Sequence, residues 1–237
     1  MIVKESNKGV WYALLIHFLW WTCLIFAMTI EFSWRNPIVY LVILIQTHLY
    51  TGLFITAHDA MHSTVSSNKS INKTIGTVSA ILFSYNFYGK LNKKHHEHHR
   101  FVATDKDPDY HRGRSGFWPW YLSFVRQYVS IWQILLMAVS YNILKLWLPD
   151  QNLIFLWMMP AILSTFQLFY FGTYLPHKGS HSPKNAQKSR SQSMNHLKAF
   201  ITCYFFGYHY EHHISPGTPW WLLYKRKEEY EKIGYPQ

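Results

Sequence analysis

The sequence predicts an all-α integral membrane protein, with four transmembrane helices and a cytoplasmic helical cap carrying histidine boxes. Three observations predict it. Of the 237 residues, 49% are hydrophobic and only 15% charged, against roughly a quarter charged in soluble domains, so little charge is available to solvate the apolar surface. The apolar residues gather in four runs long enough to cross hydrocarbon. Nine of the 15 histidines fall into short groups at or beyond the ends of those runs.

Residues 11–30 and 37–57 contain no Asp, Glu, Lys or Arg, and about 20 helical residues reach roughly 30 Å, the thickness of the hydrocarbon layer. Residues 131–148 carry one charge, Lys145, close to the end of the run where its stem can snorkel, and residues 152–175 carry none. Four such runs leave too little polar chain to bury them in a soluble core. Between the second and third runs, residues 58–116 form a polar loop whose apolar stretch, 75–88, suits the membrane interface. The aromatic segment 117–128 leads into the third run. Residues 178–198 are loop-like, residues 199–213 regain helical character, and Pro216-Gly217-Thr218-Pro219 ends them ahead of Trp220 and Trp221. No repeat or linker divides the chain, so residues 1–237 are expected to form a single membrane-embedded domain.

Charge orients the spans. The net charge is +11, a surplus that suits nucleic acid or an anionic membrane surface, and the apolar runs decide for the membrane and against nucleic acid. Lys and Arg number two before the first run, one between the first and second, ten between the second and third, and nine after the fourth. Positive segments stay in the cytoplasm, which places both termini and the long loop inside. The first run has no small-residue cleavage site after it and reads as an uncleaved anchor. Cys23 and Cys203 have no sequence neighbours to pair with, which argues against a disulfide framework or a cysteine zinc site.

The histidines carry the chemistry. His58 and His62 stand at i,i+4 at the inner end of the second run. His95, His98 and His99 have i,i+3,i+4 spacing, His209, His212 and His213 repeat it, and His177 leaves the fourth run. On a helix such positions share a face, so each group can aim its imidazoles at one point. Neutral imidazole is a strong nitrogen ligand, and nine exceed the six that one metal rarely surpasses, so the count fits two metal ions. Asp59, Glu97 and Glu211 stand beside the boxes as candidates to orient or neutralise the ligands. His96 falls about 100° off the face of its neighbours and is left out of the set. A zinc protease would need H-E-x-x-H, which the run from His96 to Arg100 lacks. A ferritin-like bundle would need Glu within the spans. A membrane metal transporter or sensor would place ligands along a path through the spans, whereas eight of the nine histidines follow the spans or lie in loops.

The wording around the boxes resembles the membrane-bound histidine-box di-iron hydroxylases and desaturases, and more closely the bacterial β-carotene ketolases. Thr56-Ala57-His58-Asp59-Ala60-Met61-His62, Asp107-Pro108-Asp109-Tyr110-His111, Phe171-Gly172-Thr173-Tyr174-Leu175-Pro176-His177 and Cys203-Tyr204-Phe205-Phe206-Gly207-Tyr208-His209-Tyr210-Glu211-His212-His213 carry the likeness, which runs from about Gln46 to Trp221. Ser63 stands where the pattern leads one to expect Gly, and Phe205 where family members often carry another His. The resemblance implies two iron ions held by the nine histidines, with no catalytic group beyond those ligands. It also implies two successive O2-dependent hydroxylations at the C4 methylene of a β-ionone ring, the gem-diol losing water to leave a ketone. The substrates it implies are β-carotene and related carotenoids, delivered from the lipid bilayer. A fatty-acyl desaturase or a carotenoid hydroxylase with the same metal chemistry is the nearest alternative.

Two further sites are expected. His48, nearly three turns deeper than His58, should point inward, as a hydrogen-bonding group rather than a substrate contact. Asp107, Asp109 and His111 form a polar cluster expected to support the second box or the substrate ring. The sequence has no G-x-G-x-x-G, P-loop or four-cysteine cluster, so electrons must come from an external donor such as ferredoxin with its reductase.

Overall fold

The computed structural model describes residues 7–111 and 116–234, and no strand occurs among them. Helix α1 (Lys8–Thr29) is apolar all round. Only the stripe Gly9, Ala13, Ile16, Trp20 and Ala27 is buried, while Trp11, Phe18 and Ile25 are exposed, the pattern of a helix whose outer face meets lipid. Helix α2 (Pro37–Met61) starts on Asn36, whose side chain accepts from the Ile38 amide, with Pro37 in the first turn. Its second half, from Leu49 to Met61, is almost wholly buried. That makes α2 the axis on which the other elements pack.

After α2 the chain turns at Ser63, whose φ is +58°. This left-handed conformation suits glycine and costs a side-chain-bearing residue about 1–2 kcal/mol, which accounts for the Gly expected at this position. Ser63→Gly is therefore expected to stabilise the protein by about 0.5–1 kcal/mol, read as a higher thermal midpoint in detergent. Helix α3 (Lys69–Leu82) runs back along α2. Asn68 caps it, Asn72 donates to the Ala60 carbonyl at 2.5 Å, and Gly76 allows the close approach. A Cβ there would lie 2.7 Å from that of Ala60 and 2.5 Å from the Tyr88 ring. Helix α4 (Tyr88–Phe101) carries the second histidine box across the end of α2.

The third apolar run departs from expectation. It forms α6 (Ile131–Leu144), which follows α5 (Phe117–Tyr128) at an angle of 82°. Ser130 breaks the pair by starting a new helix: its hydroxyl accepts from the Gln133 backbone amide while the Gln133 side-chain Oε1 accepts from the Ser130 backbone amide. Fourteen residues span only about 21 Å, short of the hydrocarbon thickness, so α6 reaches across only if counted with α5. Among the described residues, three helices are individually long and apolar enough to span, and four if that bent pair counts as one.

Helix α7 (Asp150–His177) is the last span. Two π stretches, Leu153–Met158 and Tyr170–Tyr174, each end two residues before a proline, Pro160 and Pro176, where the missing N–H already disturbs the ladder. Residues 199–213, expected as one helical segment, divide into α8 (His196–Cys203) and α9 (His209–Ile214), separated by a turn with Tyr204 at φ +49° and Phe205 at +62°. A short 3-10 turn, Trp220–Leu222, precedes α10 (Leu223–Ile233).

Candidate metal centre

All nine box histidines come together. His58 and His62 close α2, His95, His98 and His99 come from α4, His177 ends α7, and α9 supplies His209, His212 and His213. They form two clusters: His58, His62, His95 and His212, and His98, His177, His209 and His213, with the potential ligand atoms of each within 4.8 Å of one another. His99 lies between them. Its Nε2 is 2.9 Å from that of His212, and its ring centre is 4.6 Å from His95 and 4.5 Å from His213. Each triad was expected to aim at one point; instead α4 and α9 each feed both clusters. His209 and His213, one turn apart, share a face, and His212 lies about 100° round from His213.

The donor set fits metal ions. Nε2 atoms face one another at 3.2 Å (His58 and His212), 2.6 Å (His62 and His95), 3.1 Å (His98 and His213), 3.0 Å (His177 and His209) and 2.9 Å (His209 and His213). Two nitrogens about 2.1 Å from a shared ion and at right angles to each other lie about 3 Å apart. Burial first, then neighbouring imidazoles, hold His95, His209, His212 and His213 well below the usual histidine range. Burial and His96 push His62 down to about 3. These rings are neutral at physiological pH, with lone pairs free to ligate. His98 is the exception: burial lowers it, but the carboxylates of Asp109 and Asp107 outweigh that and raise it.

The surrounding polar groups orient the rings. His98 Nδ1–H donates to Asp107 Oδ1 at 2.8 Å, which leaves its Nε2 lone pair directed at the second cluster. Asp107 is fixed in turn by the amides of Ala103 and Asp109, and Asp109 accepts from the Tyr128 hydroxyl. His177 Nδ1–H donates to the Lys188 carbonyl at 2.8 Å. Asp59 accepts from the Trp220 amide at 3.0 Å and lies 3.5 Å from His58 Nδ1. Asp107→Ala is expected to lower metal retention or turnover about 10–100-fold, read by iron remaining after a chelator challenge.

Several expectations need correction. Glu97 points away from the clusters, 3.9 Å from the exposed Lys93, because it sits about 200° round α4 from His95. Glu211 is fully buried but pairs with Lys227 at 3.4 Å and accepts from Ser191 rather than holding an imidazole. His48 faces inward as expected, yet it stacks on Tyr204 with ring centres 4.3 Å apart and planes at 13°; among the described residues its ring makes no hydrogen bond. His111 is half-buried and joins neither cluster. His96 is exposed and donates to the Asn92 carbonyl. Phe205 stacks on Trp220 and packs at a tilt against Tyr224. Sequence reading did not single out Tyr128, Ser191 or Lys227. Lys227 carried no signal, since it lies in a run of charges, Lys225 to Glu231, that reads as a solvated helix.

A space of about 30 Å³ touches His58, His95, His98 and His209. It shares Phe54, Leu91, Phe124, Tyr128 and Leu168 with an apolar groove of about 450 Å³ between α5, α6 and α7. Paired histidine clusters at the end of apolar, lipid-facing helices, open to an apolar groove, define a membrane protein with a candidate metal centre beside a space for a hydrophobic ligand.

Comparison with known proteins places it further. The pattern of the fatty acid desaturase family matches residues 32–144 and 125–236. The chain is 40% identical over 191 residues to β-carotene 4-ketolase 3 of Haematococcus lacustris, covering 77% of this chain and 60% of that protein. It is 38% identical to zeaxanthin 4-ketolase of Chlamydomonas reinhardtii, covering 95% and 52%, and 36% identical to β-carotene ketolase of Paracoccus sp. strain N81106, covering 94% and 90%. The chain thus spans between half and two thirds of the length of these algal relatives and nearly all of the bacterial one. It belongs to the fatty acid desaturase family and, within it, to the β-carotene ketolases.

Proposed function

We propose that residues 1–237 act as one membrane-embedded, O2-dependent di-iron oxygenase. It converts the C4 methylene of the β-ionone rings of β-carotene to a ketone by two successive hydroxylations, giving echinenone and then canthaxanthin. The observation that carries this reading is the pair of four-histidine clusters at the head of an apolar groove, in a chain whose relatives are named for ketone formation on carotenoids.

Under this reading His58, His62, His95 and His212 hold one iron and His98, His177, His209 and His213 the other, with His99 between them. When bound, iron supplies the redox chemistry with O2. The protein's own residues do the rest. Asp107 keeps the His98 ring turned toward its cluster, and Lys188 does the same for His177 through its carbonyl. The space beside the histidines is small, about 30 Å³. In this reading the edge of a ring reaches it while the polyene stays in the groove. Phe54, Leu91, Phe124 and Leu168 line that passage and exclude bulk water from the reacting carbon. The metal centre and both termini are assigned to the cytoplasmic side on the positive charge of the loops, where an external donor, ferredoxin with its reductase, supplies electrons.

Expression in an iron-replete, aerated, β-carotene-producing bacterium is expected to yield echinenone and canthaxanthin by chromatography and mass. Unchanged β-carotene with a competent reductase overturns the ketolase reading. Hydroxylated carotenoids instead would assign a hydroxylase, and newly unsaturated fatty acids a desaturase.

A further inference from the structure

A second apolar cavity, of about 520 Å³, lies between α1, α6 and the start of α7. It touches none of the histidines. Its walls include Leu24 and Met28 of α1, Leu144 of α6, Leu148, and Leu153 and Trp157 of α7. It abuts the groove that leads to the metal centre, because Ser84 and Met137 line both.

The three spaces follow one another along the same two elements. On α7, Gly172 borders the small space beside the histidines, Leu168 to Met158 border the groove, and Trp157 and Leu153 border the second cavity. On the other side, Val129 to Ala138 line the groove, and Met137, Leu144 and Leu148 the second cavity. The nineteen steps from Gly172 back to Leu153, which include one π stretch and part of the other, rise roughly 25 Å. An extended C40 carotenoid is about as long as the hydrocarbon layer is thick, roughly 30 Å. A substrate with one ring edge at the histidines and its polyene in the groove therefore carries its other end past Met137.

We propose that the cavity beyond Met137 is a binding site for the distal half of the substrate, the end ring that is not being oxidised, with Met137 and Ser84 forming the constriction around the polyene. This rests on the ketolase reading and extends it. Binding the remote end holds the near C4 in register with the metal centre, so binding energy remote from the reacting carbon serves positioning. A two-ringed substrate must leave and re-enter reversed before its second ring is oxidised.

The test uses the full-length protein in membranes with a reconstituted electron donor and two substrates that share the β-ionone ring. One is β-carotene and the other an apocarotenoid with one such ring and a shortened polyene. Leu148→Trp and Met28→Trp each fill the second cavity from a different element. In both, conversion of β-carotene relative to the short compound is expected to fall at least tenfold against wild type. The membrane-bound amount and the turnover of the short compound report on folding, and the second variant covers misfolding of the first. An unchanged ratio in the folded variants overturns the proposal while leaving the ketolase reading intact. Wild-type protein that oxidises neither compound overturns the ketolase reading itself.

Discussion

Replacing His212 with alanine is expected to abolish ketone formation, by at least a hundredfold, and to lower the iron bound per polypeptide. His212 Nε2 faces both His58, at 3.2 Å, and His99, at 2.9 Å. Its loss thus removes a donor from the first cluster and frees His99, which bridges toward the second. Changes to residues that merely orient metal ligands already cost 10–100-fold, and removal of a ligand costs more. His96→Ala is the control: that ring is exposed and bonded to its own helix, so its iron content and turnover should match wild type. Elemental analysis of purified protein and pigment analysis of cells measure the two quantities separately. Full iron content in His212→Ala would remove this ring from the ligand set.

The second large effect is on stability. Lys227→Ala is expected to destabilise the protein by about 3–5 kcal/mol, because truncating one member of a buried ion pair leaves the other charge without compensation. Lys227 is 1% exposed and Glu211 is fully buried. The ammonium lies 3.4 Å from Glu211 and 2.5 Å from Glu231. For a chain of this size the loss corresponds to a fall of about 6–20 °C in thermal midpoint, measurable in detergent. Glu211 sits on α9 between His209 and His212, so iron retention should fall with the midpoint. Replacing Lys227→Met and Glu211→Gln together should recover part of the loss, since no fully buried charge is then left without a partner and Glu231, the carboxylate that remains, is exposed. A midpoint unchanged in Lys227→Ala would mean that water or a rearranged side chain already satisfies Glu211.

The apolar runs and the histidine spacing were legible because each follows from local chemistry. About 20 residues without charge can only be accommodated in hydrocarbon or a large core; α2 and α7 contain the runs read at 37–57 and 152–175, and α1 covers all but the last residue of the run 11–30. The third run was misjudged in shape. Composition shows that 131–148 is apolar, but not that Ser130 and Gln133 cap a fresh helix at 82° to the preceding one. Ser63 was legible in a different way, as a departure from a pattern, and its positive φ supplies the reason.

What the sequence by itself determined is the local pattern: the four apolar runs, the nine box histidines and Asp107 beside the second box are set by residue type and local spacing. The tertiary structure alone decided how they combine. The division of each triad between two clusters, the turning of Glu97 toward Lys93, the pairing of Glu211 with Lys227, and the line of cavities behind the metal centre all depend on contacts between segments far apart in the chain. Helical periodicity specifies the direction of a side chain around its own axis but not which other helix lies there; that is settled by packing.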